Sequence, residues 1–319
     1  MADKYEEGLY NQSLTNALLR NGIPTPGSIY YLDPTNGSNS NDGKSVNQAF
    51  AGLIYAEDHL TAGQHDVLVY LAGSTSLQLA ESLTWDKDYT HFISMAAPSW
   101  VGCRARIMHN ANFSPMITLS GNGCIFANLY FSYGRGGADN HILMASTGDH
   151  NYFKNVNFAG MLNDTEAQDA SSVALQMVGS HNNLFEDCAF GVGSIARTAA
   201  NTLVDFTTTA SGQNYFKNCK FISWSTAATP THIRIADGMV DRFIVLDDCL
   251  FVNEGTSLTQ VIDDNQSAAS TMRFVVIKGD TMIVGADDWG DATSAVNIWH
   301  KRQNDTANIW GLPANPAAS

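Results

Sequence analysis

The chain has 319 residues, 44% hydrophobic and 15% charged, the composition of a packed protein and not of a disordered one. A formal net charge of −14 argues against nucleic acid as a partner, since phosphates would be repelled, and favours solubility or a basic partner surface. No run approaches 18 apolar residues, and Met1-Ala-Asp-Lys-Tyr-Glu-Glu7 lacks the basic and apolar regions of a signal peptide. No membrane association and synthesis in the cytoplasm are therefore expected. The five cysteines (Cys103, Cys124, Cys188, Cys219, Cys249) are odd in number and lack CxxC spacing, which argues against a disulfide framework and a zinc site. No cofactor or metal is expected.

Residues 3–20 read as a helix with Leu9, Leu14, Ala17 and Leu18 partly on one face, stopped by Gly22 and Pro24, so 1–28 is expected to form a helical arm. A strand-like Tyr30-Tyr-Leu-Asp33 leads into an Asn/Asp/Gly-rich turn to Gly43. A capping helix is expected from about Val46 to Leu60, placing Phe50, Leu53, Ile54 and Leu60 toward the core. Val67-Leu-Val-Tyr-Leu71 then reads as a buried strand. The Asp33–Gly43 loop lacks the twelfth-position Glu of a calcium-binding EF-hand. Residues 29–100 are thus read as the cap and first coils.

From 101 to 299 the chain repeats. Phe126-Ala-Asn-Leu-Tyr-Phe131, Phe153-Lys-Asn-Val-Asn-Phe158, Phe185-Glu-Asp-Cys-Ala-Phe190, Phe216-Lys-Asn-Cys-Lys-Phe221 and Leu246-Asp-Asp-Cys-Leu-Phe251 align, with a weaker sixth at Ile277–Met282. Their starts lie 27, 32, 31, 30 and 31 residues apart. A second strand element recurs as Met116–Leu119, Ile142–Met144, Leu175–Met177, Val204–Phe206 and Ile233–Ile235, more loosely at Val261 and Val296–Ile298. The alternation has period two, so the units are strands. Strands too short to bury their own face must stack on their neighbours, ~4.8 Å apart.

Stacking predicts vertical files. Inward ones are Phe126/Phe153/Phe185/Phe216/Leu246, Leu129/Val156/Cys188/Cys219/Cys249 and Phe131/Phe158/Phe190/Phe221/Phe251/Met282. The outward file Ala127/Lys154/Glu186/Lys217/Asp247/Lys278 alternates in sign after its first member, which pins register between coils. The next file, Asn128/Asn155/Asp187/Asn218/Asp248/Gly279, reads as an amide–carboxylate ladder, because Asn donates and ionised Asp only accepts. The ladder accounts for Asp187 and Asp248 without a catalytic role.

These F-x-N-x-x-F and F-x-D-C-x-F rungs resemble the pectate-lyase-like superfamily, over about two-thirds of the chain. The resemblance implies an all-β, right-handed parallel β-helix of about 7–9 coils. The strand, Asn/Asp/Gly turn and capping helix also resemble the opening of phage and bacterial β-helix proteins.

Chemistry is less visible. The second strand's outward file is read as Thr118, Leu143, Gln176, Asp205, Arg234 and Asn297, with Asp205 and Arg234 its only charged pair and the weak catalytic candidates. Asp263-Asp264 and Asp287-Asp288 are placed in turns. His150 and His181 are placed at matching corners with Gln213 and Arg242, too few ligands for a metal. Trp299 and Trp310 are expected to plug the last coil, and 300–319 to form an extended tail. The expected function is a non-enzymatic structural protein of a tailed-bacteriophage virion, associated with head or tail. It would be made in the bacterial cytoplasm and bind other virion proteins and its own copies through its arms. The alternative is a tailspike-like protein that binds or depolymerises host surface glycans, with Trp85, Trp224 or Trp289 exposed along a groove.

Overall fold

The computed structural model describes residues 27–134, 141–265, 274–290, 298–300 and 312–313. The helix expected over residues 3–20, the tail beyond 300 other than its strand at Leu312–Pro313, Asn297 and Trp310 lie outside the described residues. The described residues wind into a right-handed parallel β-helix of about seven turns, each built of three short strands on three faces. The first sheet has 11 strands, the second 9 and the third 7. Among the described residues all strand pairings are parallel except that Leu312–Pro313 runs antiparallel to Ile298–His300. At ~4.8 Å per rung, seven turns rise ~34 Å.

Each F-x-N-x-x-F unit is two strands, bent at its Asn or Asp. Ile125–Ala127 lies on the first face and Tyr130–Ser132 on the second. The bend residue adopts left-handed backbone in each of these six repeats, with φ of 56° at Asn128, 50° at Asn155, 57° at Asp187, 50° at Asn218, 53° at Asp248 and 65° at Gly279. Asn, Asp and Gly tolerate that region at little cost, whereas a β-branched residue such as Thr208, at φ 65°, occupies it only under strain. The composition of this file therefore follows from backbone geometry first and side-chain pairing second.

The first inward file forms in the expected register and continues downward to Phe92. Phe126–Phe153, Phe153–Phe185 and Phe185–Phe216 stack with ring centroids 5.1, 4.7 and 4.7 Å apart. The second file, Phe158–Phe190–Phe221–Phe251, stacks at 4.9, 4.9 and 4.3 Å. Edge contacts such as Phe153–Phe158 at 5.6 Å join the two into one herringbone core. Offset stacks and edge contacts each contribute about 0.5–1.5 kcal/mol beyond area burial. The five cysteines are buried free thiols, and Cys188, Cys219 and Cys249 donate to the carbonyls of Phe153, Phe185 and Phe216.

Several expectations need correction. Ile283, not Met282, tops the second file, because the turn after Ile277 holds one more residue than its counterparts. Period-two alternation then turns Met282 outward, where it is half-exposed. The strand at Ile298–His300 joins the first sheet above Phe274–Lys278, not the third. Trp299, one residue along from buried Ile298, is exposed, where the plug of the last coil was expected to be buried. The continuous helix expected from Val46 to Leu60 is a 3-10 turn at Val46–Gln48 and a short α-helix at Leu53–Asp58. The chain between them runs extended so that Phe50 can bond Tyr31 of the lowest strand, Ile29–Leu32, and Asp33 just beyond it. That arrangement still covers the lower end, with Phe50, Leu53 and Leu60 buried.

Candidate functional site

The third face carries the outward row that holds Asp205 and Arg234. Its register places Thr84, Thr118, Ala145, Gln176, Asp205, Arg234 and Asp263 one above another. Ala145 replaces Leu143, which lies two positions away and is buried. Asp263 stands where Asn297 was expected, because the Ile262–Asp264 strand closes this face. Arg234 grips Asp205 with two parallel bonds, Nε to Oδ1 at 2.9 Å and Nη2 to Oδ2 at 2.8 Å. Asp205 is buried. Its hydrogen bond, set against Arg234's own burial and helped by the charges of Asp205 and Asp263, raises the guanidinium's pKa. Asp263 in turn accepts from Gln260 Nε2 at 3.1 Å. The fork–fork pair is a strong, oriented contact between coils, and it occupies both oxygens of the row's best-placed carboxylate.

The outward charges of the first face are also paired. Lys154 and Lys217 both lie 3.2 Å from Glu186, and Lys278 lies 3.1 Å from Asp247. Tyr152 donates to Glu186 at 2.6 Å, and Tyr215 donates to Asp247. Partial burial works to raise the Glu186 pKa, but bonds from Tyr152, Lys154 and Lys217 outweigh it and hold the carboxyl at about 2. In the ladder, Asn155 donates to Asn128 at 2.9 Å and Asn218 to Asp187 at 2.6 Å. Between these pairs Lys154 reaches Asp187 at 2.5 Å. Asp248 accepts the Asp280 main-chain N–H at 2.8 Å. The ladder is therefore a series of paired contacts.

Other candidates are dispersed. Asp263-Asp264 and Asp287-Asp288 lie in strands, not turns, so neighbours face opposite ways. His150 matches Asn182 and Gln213, all in left-handed backbone, so the pairing of His150 with His181 was one residue out of step. His181 instead lies between Asp149 at 3.5 Å and Asp241 at 3.4 Å. Asp241 reaches it across Gly212, where any side chain would collide with the carboxylate. Among the described residues no cluster of three or more His, Cys, Asp or Glu could hold a metal ion. Trp85 is buried and bonded to Thr90 at 2.9 Å, and Trp289 packs edge-on against Phe251 at 5.6 Å. Trp224 is exposed, as is Trp100, which Lys220 approaches at 5.9 Å from the ring centroid.

Two buried polar systems were missed. Asn151, Asn183 and Asn214 form a second, interior asparagine ladder at the corner before the first face. Their signal was present as Asn two residues before each Phe, but it resembled an ordinary turn. The other lies at the interior corner before the third face. Arg197 is fully buried and donates to Asn201 Oδ1, Asn201 O and the Thr231 carbonyl, and burial alone lowers its pKa to about 9. Ser223 donates to Asn253 Oδ1, so it must accept from His232 Nε2–H at 2.8 Å. Burial first, then the charge of Arg197, hold His232 neutral by pushing its pKa well down.

No family profile and no curated protein matches the sequence. Among solved structures, the fold is similar to pectate lyase Pel9A at 13% identity, covering 83% of this chain and 79% of that one, with a TM-score of 0.47. It is similar to the pectin methylesterase from Aspergillus niger at 12% identity, covering 90% and 93%, TM-score 0.47. Escherichia coli YbhC is similar at 10% identity, covering 85% and 77%, TM-score 0.49. The likeness is one of coil architecture.

Proposed function

We propose that the chain is a non-catalytic structural solenoid whose setting is a tailed-phage particle, on the head or the tail. The observation that carries the non-catalytic reading is the Asp205–Arg234 pair, which ties up both oxygens of the outward acid best placed for chemistry. A general acid or base needs a carboxyl able to exchange its proton with substrate. Glu186, Asp187 and Asp247 are likewise bound to side chains of adjacent rungs. Such pairs fix register and stiffness instead. The phage setting rests on the resemblance of the opening strand, Asn/Asp/Gly turn and cap to phage β-helix proteins. Antibody-gold labelling of purified particles is expected to decorate head or tail, and particles shown by mass spectrometry to lack the chain would remove that setting.

A second reading, cleavage of a polysaccharide, is favoured by one feature. Asp205 and Asp263 flank Arg234 two rungs apart, ~9–10 Å along the row, at the edge of the separation used by inverting glycosidases. Catalysis there would require Arg234 to release Asp205. A reducing-sugar assay on host surface glycans, with Asp205→Asn and Asp263→Asn as controls, separates the readings.

A further inference from the structure

The outer side of the second face changes character along the rod. In its middle rungs the chain covers itself, with Gly102 N–H donating to Asn157 Oδ1 at 2.8 Å and Trp100 lying beside Lys220. The cover ends at Lys220, and from there the strands Lys220–Ser225, Leu250–Gly255 and Met282–Val284 stack in register. Their outward files are Lys220–Leu250–Met282 and Ile222–Val252–Val284, with Trp224 in the adjoining file, and Lys220 is buried beneath Trp100 and presents no charge at the surface. Met282 and Val284 are each 51% exposed and Trp224 38%. Scattered exposed apolar residues are ordinary, but a contiguous patch on three paired strands marks an interaction surface. Its rim is acidic. Glu254 pairs in register with Trp224, and Glu254, Asp280 and Asp287 are exposed. The nearest cation on the neighbouring face, Lys278, is bound to Asp247.

We propose that this patch docks a basic protein partner, one presenting apolar side chains flanked by Lys or Arg. Charge complementarity selects that occupant over a second copy. Two chains of net charge −14 repel, and a two-fold contact through this patch would set the same acidic rim against itself. The inference deepens the structural reading by naming the chemistry of its partner.

The test uses the full chain and fluorescent octapeptides of alternating Lys/Leu, Glu/Leu and Lys/Ser, read by anisotropy. The Lys/Leu peptide is expected to bind at least about tenfold tighter than either of the others. The double variant Met282→Ser/Val284→Ser is expected to lose that advantage with an unchanged circular dichroism spectrum. Should the double variant misfold, Trp224→Ser serves in its place. Equal binding of all three peptides overturns the proposal, as does undiminished Lys/Leu binding by a folded variant. A wild-type oligomer by light scattering that the substitution converts to monomer also overturns it, by making the patch a contact between copies. Absence of the chain from particles would remove the phage setting but leave the peptide result standing.

Discussion

The side-chain oxygen of Asn214 accepts the main-chain N–H of Asn183, one rung below, at 3.0 Å. The same contact recurs from Asn151 N–H to Asn183 at 2.8 Å and from Cys124 N–H to Asn151 at 2.8 Å. The amide groups are also used, Asn151 donating to Gly121 O and Asn214 to Ser180 O. At a sharp corner the backbone N–H cannot reach a strand partner, and the asparagine supplies one inside the core.

Replacing Asn183 by Leu keeps the volume but strands the Asn151 N–H and removes a donor from Ser180 Oγ. Each buried group left unpaired costs about 1–3 kcal/mol. The urea unfolding midpoint is expected to fall by an amount equivalent to about 2–4 kcal/mol. A wild-type midpoint would mean that the ladder contributes nothing.

Phe185 stacks at 4.7 Å on both Phe153 and Phe216 and meets Phe190 edge-on at 5.9 Å. Phe185→Ala is expected to destabilise by about 3–5 kcal/mol, because neighbours fixed in adjacent rungs cannot collapse into the cavity. Thermal unfolding of the variant checks this.

Asn218 distinguishes backbone from side-chain effects. Asn218→Gly retains the left-handed bend and loses one exposed bond to Asp187, so a change within about 1 kcal/mol is expected. Asn218→Val forces a β-branched residue to φ near 50° and should cost at least about 1–2 kcal/mol more. Equal stabilities for the two variants would refute the geometric explanation of this file.

Acid should loosen the fold in two stages. Burial, then the charge of His65, pushes His91 from 6.5 to about 4, and His232 is depressed by burial and by Arg197. A histidine held neutral contributes stability that is complete above pH 6.5 and is withdrawn as pH falls toward its folded value. Glu186, held at about 2 against an ordinary 4.5, contributes above pH 4.5 and loses that contribution as pH falls toward 2. The melting temperature is expected to drop first between pH 6.5 and about 4. His232→Gln, which leaves Ser223, Asn253 and Arg197 in place, should flatten that first drop. An unchanged slope in the variant would count against His232 as a source.

The architecture was legible because a solenoid writes its geometry at a constant spacing. A thirty-residue period and a two-residue alternation are local properties, so the phenylalanine files and the charge alternation of Lys154, Glu186, Lys217, Asp247 and Lys278 could be read in one dimension. Register at irregular places could not. One extra residue in a turn moves Met282 from core to surface, and Asp263 joins the row of Asp205 and Arg234 where the repeat spacing alone suggests Asn297. Whether an outward acid is free or held, and whether an Asn at a corner faces water or the core, depends on which rung its side chain reaches. Those contacts are mostly 27 to 35 residues distant in sequence but one strand-width apart in space, so only the tertiary structure decided them.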